Sequence, residues 1–269
     1  MTSFGTRPDD SLLGIRERYL GPSLLSPFAD DMAQRLSRLS VGPLLEILAD
    51  IGLSTQAIAA SVSAGMTFIA TDPSEALLRH AGKKPGTSRV IWRIADPYAL
   101  PFEPATFGLV ACQFGVMALS DHVLAFREAR RVMKPGARFV FNVPAHIRHS
   151  PVVARVQQSL EELFPSNPPG YLVKVLHGYT ENEVVDDDLT LAGFTDAIYT
   201  TVDLPYAAAS ARDAAIGYCL GTPLRHEIEA RAGGESERAV EAVAAALKRR
   251  FGAGPIETSM RAHVISASG

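Results

Sequence analysis

Acidic and amide side chains recur where apolar runs stop. Glu46 and Asp50 end and follow "PLLEIL", Asp72 closes "MTFIATD", Asp96 closes "SRVIWRIAD", and Gln113 with Phe114 closes "FGLVACQF". A carboxylate in such a place can accept two hydrogen bonds at once. His122, His146, His149 and His177 lie near strand ends or in the stretch that follows the strands. Of these, His177 in "VLHGYTE", with Tyr179 beside it, is the candidate proton acceptor. The two cysteines, Cys112 and Cys219, sit in apolar runs and read as buried free thiols. No Cys/His cluster has zinc spacing, so no metal is expected. The chemistry on offer is the binding of a hydrogen-bonding ligand and the movement of a proton.

These residues need a scaffold that gathers strand ends. "SLLGIRERYLG" and "PFADDMAQRLSRL" have helical spacing, with Gly21 and Pro22 expected to separate them; Pro8 to Asp10 read as a frayed end. "PLLEIL" is a short apolar run suited to a strand buried on both faces. "STQAIAASVSAG" reads as a helix closed by Gly65, and "PSEALLRHAG" as a helix with Pro73 near its first turn. "FGLVACQF" is a fourth strand, and "SDHVLAFREARRVM" is the helix after it. "KPG" turns the chain into a fifth strand, "ARFVFNV". Alternation at this spacing implies a mainly parallel sheet with right-handed crossovers. Ligands of such sheets bind beyond the carboxyl ends of the strands, where the acids stand.

Beyond Val143 the pattern changes to an amphipathic helix, a proline-rich loop, a further helix and a strand. A helical stretch then runs from about Ala208 to Phe251, and "SMRAHVISAS" is a closing strand. The predicted organisation is N-terminal helices over 1–40, a sheet domain over 41–205 with 256–269, and a helical cap insert over 206–255.

The chain has 269 residues, 47% of them hydrophobic, enough for a large core. A formal net charge of -3 gives no general pull toward nucleic acid or an anionic membrane. No apolar run is long enough to span a bilayer, and "MTSFGTRPDDSLLG" lacks the order of a signal peptide. The expectation is a cytoplasmic protein with a small-molecule partner.

"LEILADIGLSTQAIA", "FIATDPSEALLRHA", "IADPYALPFEPATFGLVACQFGVM" and "FREARRVMKPGARFVFNV", in this order, resemble the class I S-adenosylmethionine-dependent methyltransferases. The resemblance covers about Leu44 to Val143, and "YTENEVVDDDLTLAGF" also fits it. It implies a Rossmann-like, mostly parallel seven-stranded α/β sheet with helices on both faces. It implies S-adenosylmethionine as cofactor and methyl transfer to a small molecule. Residue by residue, it implies that Glu46 helps hold the methionine end and that Gly52 is the last glycine of the cofactor loop. Asp72 would take the two ribose hydroxyls, and Asp96 would lie near the adenine amino group. Pro97 and Tyr98 would pack beside the ring. Gln113 and Phe114 would face the methyl group. Tyr19 and Phe28 match a segment that covers the cofactor. If Asp72 serves only the ribose, its removal leaves the stability of the empty protein unchanged.

The loop departs from the family pattern, with Leu48 at the small position and Asp50 at the middle glycine. Gly108 stands where an acid is usual. The Cβ of Asp50 occupies space that glycine leaves empty. Two readings follow: a methyltransferase whose Asp50 faces the ligand, or the same fold without cofactor, acting as a binding or scaffold protein. A nicotinamide oxidoreductase is disfavoured, because its pyrophosphate needs a loop richer in glycine.

Overall fold

The computed structural model describes residues 12–39, 42–231 and 236–269; Pro8 to Asp10 lie outside these. The chain opens with α1 (Leu12–Ile15), a π-helical segment (Arg16–Leu25) and α2 (Ser26–Arg38). Gly21 and Pro22 were expected to break this run, and they do not. A proline lacks the N–H that helical winding needs and crowds the preceding turn; the wider π winding accommodates it.

The alternation then follows as β1 (Leu44–Glu46), α3 (Leu53–Ser61), β2 (Phe68–Asp72), α4 (Glu75–Ala81), β3 (Ile91–Ile94), β4 (Phe107–Gln113), α5 (His122–Val132) and β5 (Met133–Pro144). After these come α6 (Pro151–Leu163), α7 (Asn182–Leu191), β6 (Asp196–Ala208), α8 (Ala211–Leu220), α9 (Leu224–Arg231), α10 (Ser236–Phe251) and β7 (Ile256–Ser268). The helix α3 stops at Ser61, short of Gly65, because Val62 is already extended. Ser74, just after Pro73, caps α4: its side chain accepts the Leu77 N–H.

The seven strands lie in the order β3-β2-β1-β4-β5-β7-β6. β1 pairs in parallel with β2 and β4, and β5 pairs in parallel with β4. β7 runs antiparallel to β5. Residues "KPG" form a bulge inside β5 rather than a turn before it, since Phe107 faces Met133 while Leu109 already faces Arg138.

Side-chain alternation loads both faces of the sheet. Leu45, Val110, Phe139 and Phe141 pack on one face with Phe126 of α5 and Val185 of α7. Leu44, Ala70, Leu109 and Val140 pack on the other with Met32 and Leu36 of α2 and Ile58 of α3. Burial on both faces is why these strands read as continuous apolar runs.

The chain divides into two compact units. The sheet unit comprises Leu25–His146, Val175–Leu204 and Arg261–Gly269. The second comprises Met1–Leu24, Ile147–Lys174 and Pro205–Met260. In the second unit α10 packs on α6 and α8. There Gly217 of α8 gives room to Tyr19 and Leu20: an added Cβ would lie 3.2 Å from Tyr19 Cβ and 3.0 Å from Leu20 Cδ2. No helix among the described residues is long and apolar enough to cross a membrane.

Candidate active site

The loop between β1 and α3 keeps a glycine-loop backbone with only its last glycine, Gly52. Leu48 has φ 57°, Asp50 φ 52° and Gly52 φ 78°, all left-handed. For a residue with a Cβ this conformation costs roughly 1–2 kcal/mol, less for aspartate than for leucine. The Leu48 side chain has its place because Gly115, just after β4, lacks one. A Cβ on Gly115 would lie 2.8 Å from Leu48 Cβ and 2.6 Å from Cys112 Sγ. Gly52 is needed for packing: an added Cβ would lie 2.6 Å from the Cβ of Ala81 in α4.

Asp72, at the end of β2, holds this loop. One carboxylate oxygen accepts the Asp50 N–H at 3.1 Å, and the other accepts the Ser74 N–H at 2.9 Å. The side chain is buried. This overturns the expectation that Asp72 is idle in the empty protein, because backbone N–H groups use its oxygens already.

Glu46 turns toward α3. The hydroxyls of Ser54 and Thr55 donate to its two carboxylate oxygens, each at 2.5 Å, and the Thr71 hydroxyl donates to its carbonyl at 3.0 Å. Burial raises its pKa to about 7, against the opposing effect of those two hydroxyls. Its side chain organises the start of α3.

Asp96 forms a turn in which its carboxylate accepts the Tyr98 N–H at 2.9 Å. Pro97 is buried. The Tyr98 hydroxyl accepts the Ser120 N–H at 2.8 Å, which ties the turn after β3 to the loop after β4.

At the carboxyl ends of β4 and β5, Gln113 and Asn142 are register partners. The Gln113 side-chain amide donates to the Leu25 carbonyl at 3.1 Å. Phe114 is left-handed at φ 48°, and its N–H is accepted by Asn142 Oδ1 at 2.8 Å. Its ring meets Phe28 of α2 edge-on at 4.8 Å. Phe28 is fully buried, a core residue. Gln113 Oε1 and Asn142 Nδ2 are buried with no partner among the described residues. Sequence reading missed Asn142, although an amide inside the apolar run "ARFVFNV" was a signal for it.

His177 also stands at this edge. Its Nδ1 lies 2.7 Å from the carbonyl of Ala145, the residue after β5. A carbonyl only accepts, so Nδ1 carries the proton and Nε2 carries the lone pair. Nε2 is buried and has no partner among the described residues. Burial lowers the His177 pKa to about 4, with a further push from His146, so the ring is neutral at pH 7. His122 belongs to another group: its ring stacks on Tyr179 at 3.8 Å, and the Tyr179 hydroxyl donates to Asp188 at 2.7 Å. Tyr19 falls in the second unit.

A family model described as a methyltransferase domain matches residues 49–141. A demethylmenaquinone methyltransferase of Clavibacter sepedonicus is 30% identical over 191 residues, spanning 64% of this chain and 75% of that protein. The chain belongs to the class I S-adenosylmethionine-dependent methyltransferases. Solved members of this fold superpose at low identity. The YcgJ protein from Bacillus subtilis gives a TM-score of 0.56 at 16% identity, covering 88% of this chain and 97% of that one. Phosphoethanolamine N-methyltransferase 2 of Haemonchus contortus, in complex with S-adenosyl-L-methionine, gives 0.59 at 18% identity, covering 96% and 57%. The cofactor of this methyltransferase is S-adenosylmethionine, and its reaction is methyl transfer to a small molecule.

Proposed function

We propose that the acceptor is a small molecule that loses a proton as it is methylated, at a hydroxyl or an acidic carbon, with a quinol-type ring as the first class to test. The observation that carries this is His177. A neutral amine attacks with its own lone pair, whereas a hydroxyl or acidic carbon needs a proton acceptor. His177 offers an oriented Nε2 lone pair, neutral at pH 7, at the carboxyl edge of β5. The curated relative's name, demethylmenaquinone methyltransferase, supports a quinone-derived acceptor.

The residues fit the cofactor. The loop keeps three left-handed positions, and buried amide atoms of Gln113 and Asn142 stand without partners at the strand ends. Asp72 and Asp96 would hold the adenosine part, with Pro97 beside the ring. When bound, S-adenosylmethionine supplies a methyl group activated by its sulfonium. The chain's own part is to position the acceptor, exclude water and take its proton on His177 Nε2. The test is product detection by mass spectrometry with a reduced naphthoquinol, a simple phenol and a primary amine. A His177→Asn variant is expected to lose on the order of 10²–10⁴ in kcat with the naphthoquinol, the range for general base catalysis. Methylation of the amine alone, indifferent to His177, would reverse the reading.

A further inference from the structure

Asn142 does two things with one side chain. Its Oδ1 accepts the N–H of Phe114 and so fixes a left-handed aromatic residue at the end of β4. That bond settles the amide's orientation, so Nδ2 is the atom left over. It is buried and donates to no group among the described residues. Gln113 is oriented in the same way. Its Nε2 donates to the Leu25 carbonyl, which leaves Oε1 buried without a donor. The two residues are paired in register on adjacent parallel strands, so their side chains leave the same face of the sheet. One donor and one acceptor without partners among the described residues therefore stand on neighbouring strand ends. Buried polar atoms are nearly always hydrogen-bonded, so this pair calls for a ligand or an ordered water.

We propose that Gln113 and Asn142 together bind a zwitterionic α-amino-carboxylate group, the amide oxygen of Gln113 taking the ammonium and the amide nitrogen of Asn142 taking the carboxylate. Two neutral amides match a zwitterion in hydrogen-bonding sense without burying a net charge. The inference rests on the cofactor reading, since the cofactor carries such a group at its methionine end. It explains how that end is held in a chain whose loop has lost two small residues. Asn142 acts here as ligand contact and as positioning residue for Phe114 at once.

The test compares two probes by calorimetry. S-adenosylhomocysteine has the amino-carboxylate, and 5′-methylthioadenosine lacks it. Gln113→Leu removes the acceptor. Asn142→Asp keeps an oxygen for the Phe114 N–H and replaces the donor with an acceptor that repels carboxylate. Each variant is expected to lose about 10–100-fold in affinity for S-adenosylhomocysteine, the range for a hydrogen bond to a charged group. Affinity for 5′-methylthioadenosine should change less than threefold, and the melting temperature reports whether each variant is folded. Equal losses on both probes would make the pair structural, and no loss on either would leave it to water; both results overturn the proposal. Wild-type protein that binds neither probe overturns the cofactor reading, and this one with it.

Discussion

The carboxylate of Asp72 accepts the backbone N–H of Asp50 at 3.1 Å, so the end of β2 fastens the loop that follows β1. A second bond, from the Ser74 N–H at 2.9 Å, uses the other oxygen. Hydrogen bonds to a buried charged group contribute about 1.5–3 kcal/mol each, and the two share one group. Asp72→Ala should therefore lower the stability of the ligand-free protein by about 2–3 kcal/mol in urea denaturation. An unchanged denaturation midpoint would mean that the fastening does not form in solution.

Gly115 and Leu48 share one space. Gly115→Ala drives a Cβ to within 2.9 Å of Leu48 Cδ1 and 2.6 Å of Cys112 Sγ. Overpacking of this kind costs about 1–3 kcal/mol. In a Leu48→Gly background the cost should shrink without vanishing, because Cys112 remains. A double-mutant cycle reads the coupling, expected at about 1 kcal/mol in favour of the pair. Simple additivity would show that the two side chains do not meet.

Glu46 and His177 give the stability curve its shape with pH. The Glu46 pKa rises from 4.5 to about 7 on folding, so between those values the folded chain holds more proton than the unfolded one and stability falls as pH rises. The His177 pKa falls from 6.5 to about 4, so between those values stability rises with pH and is lost on acidification. The two slopes oppose each other from about 4.5 to 6.5 and leave only the falling Glu46 slope just above. Glu46→Gln should remove that fall, gaining on the order of 3 kcal/mol at pH 8 relative to pH 5. His177→Gln should remove the opposing rise. Parallel curves for wild type and Glu46→Gln would show that Glu46 is not buried as described.

Asp50 tests the ligand's polarity. At about 4 Å and an effective dielectric near 20, a unit charge pair is worth on the order of 4 kcal/mol before desolvation. If the ligand's carboxylate is the nearer end, Asp50→Gly should tighten S-adenosylmethionine binding, and Asp50→Asn should tighten it nearly as much. Weaker binding in the glycine variant, with a smaller loss in the asparagine variant, would make Asp50 a ligand contact.

Much of the sheet unit was legible because its strands are buried on both faces and end in polar residues. β2 to Asp72 and β4 to Gln113 read as apolar runs stopped by a polar side chain, and the sheet places them so. The π-helical winding at Arg16–Leu25 was not legible, since glycine and proline punctuate ordinary helices and a wider turn leaves no periodic mark. The role of Gly115 was hidden for another reason. Its contact with Leu48 joins two loops that only the pairing of β1 with β4 brings together. Asn142 and His177 needed structure as well: a sequence shows an amide or an imidazole, but only the fold shows which of its atoms is already used.

The shared space between Leu48 and Gly115 also makes the two positions unequal for anyone redesigning this loop. A side chain at 48 and a Cβ at 115 would meet at 2.8 Å, so the backbone admits one or the other. Position 48 can shrink without a clash, whereas a side chain at 115 needs both Leu48 and Cys112 to give way. A loop graft that brings in a residue with a Cβ at 115 therefore has to carry its own residues for 48 and 112.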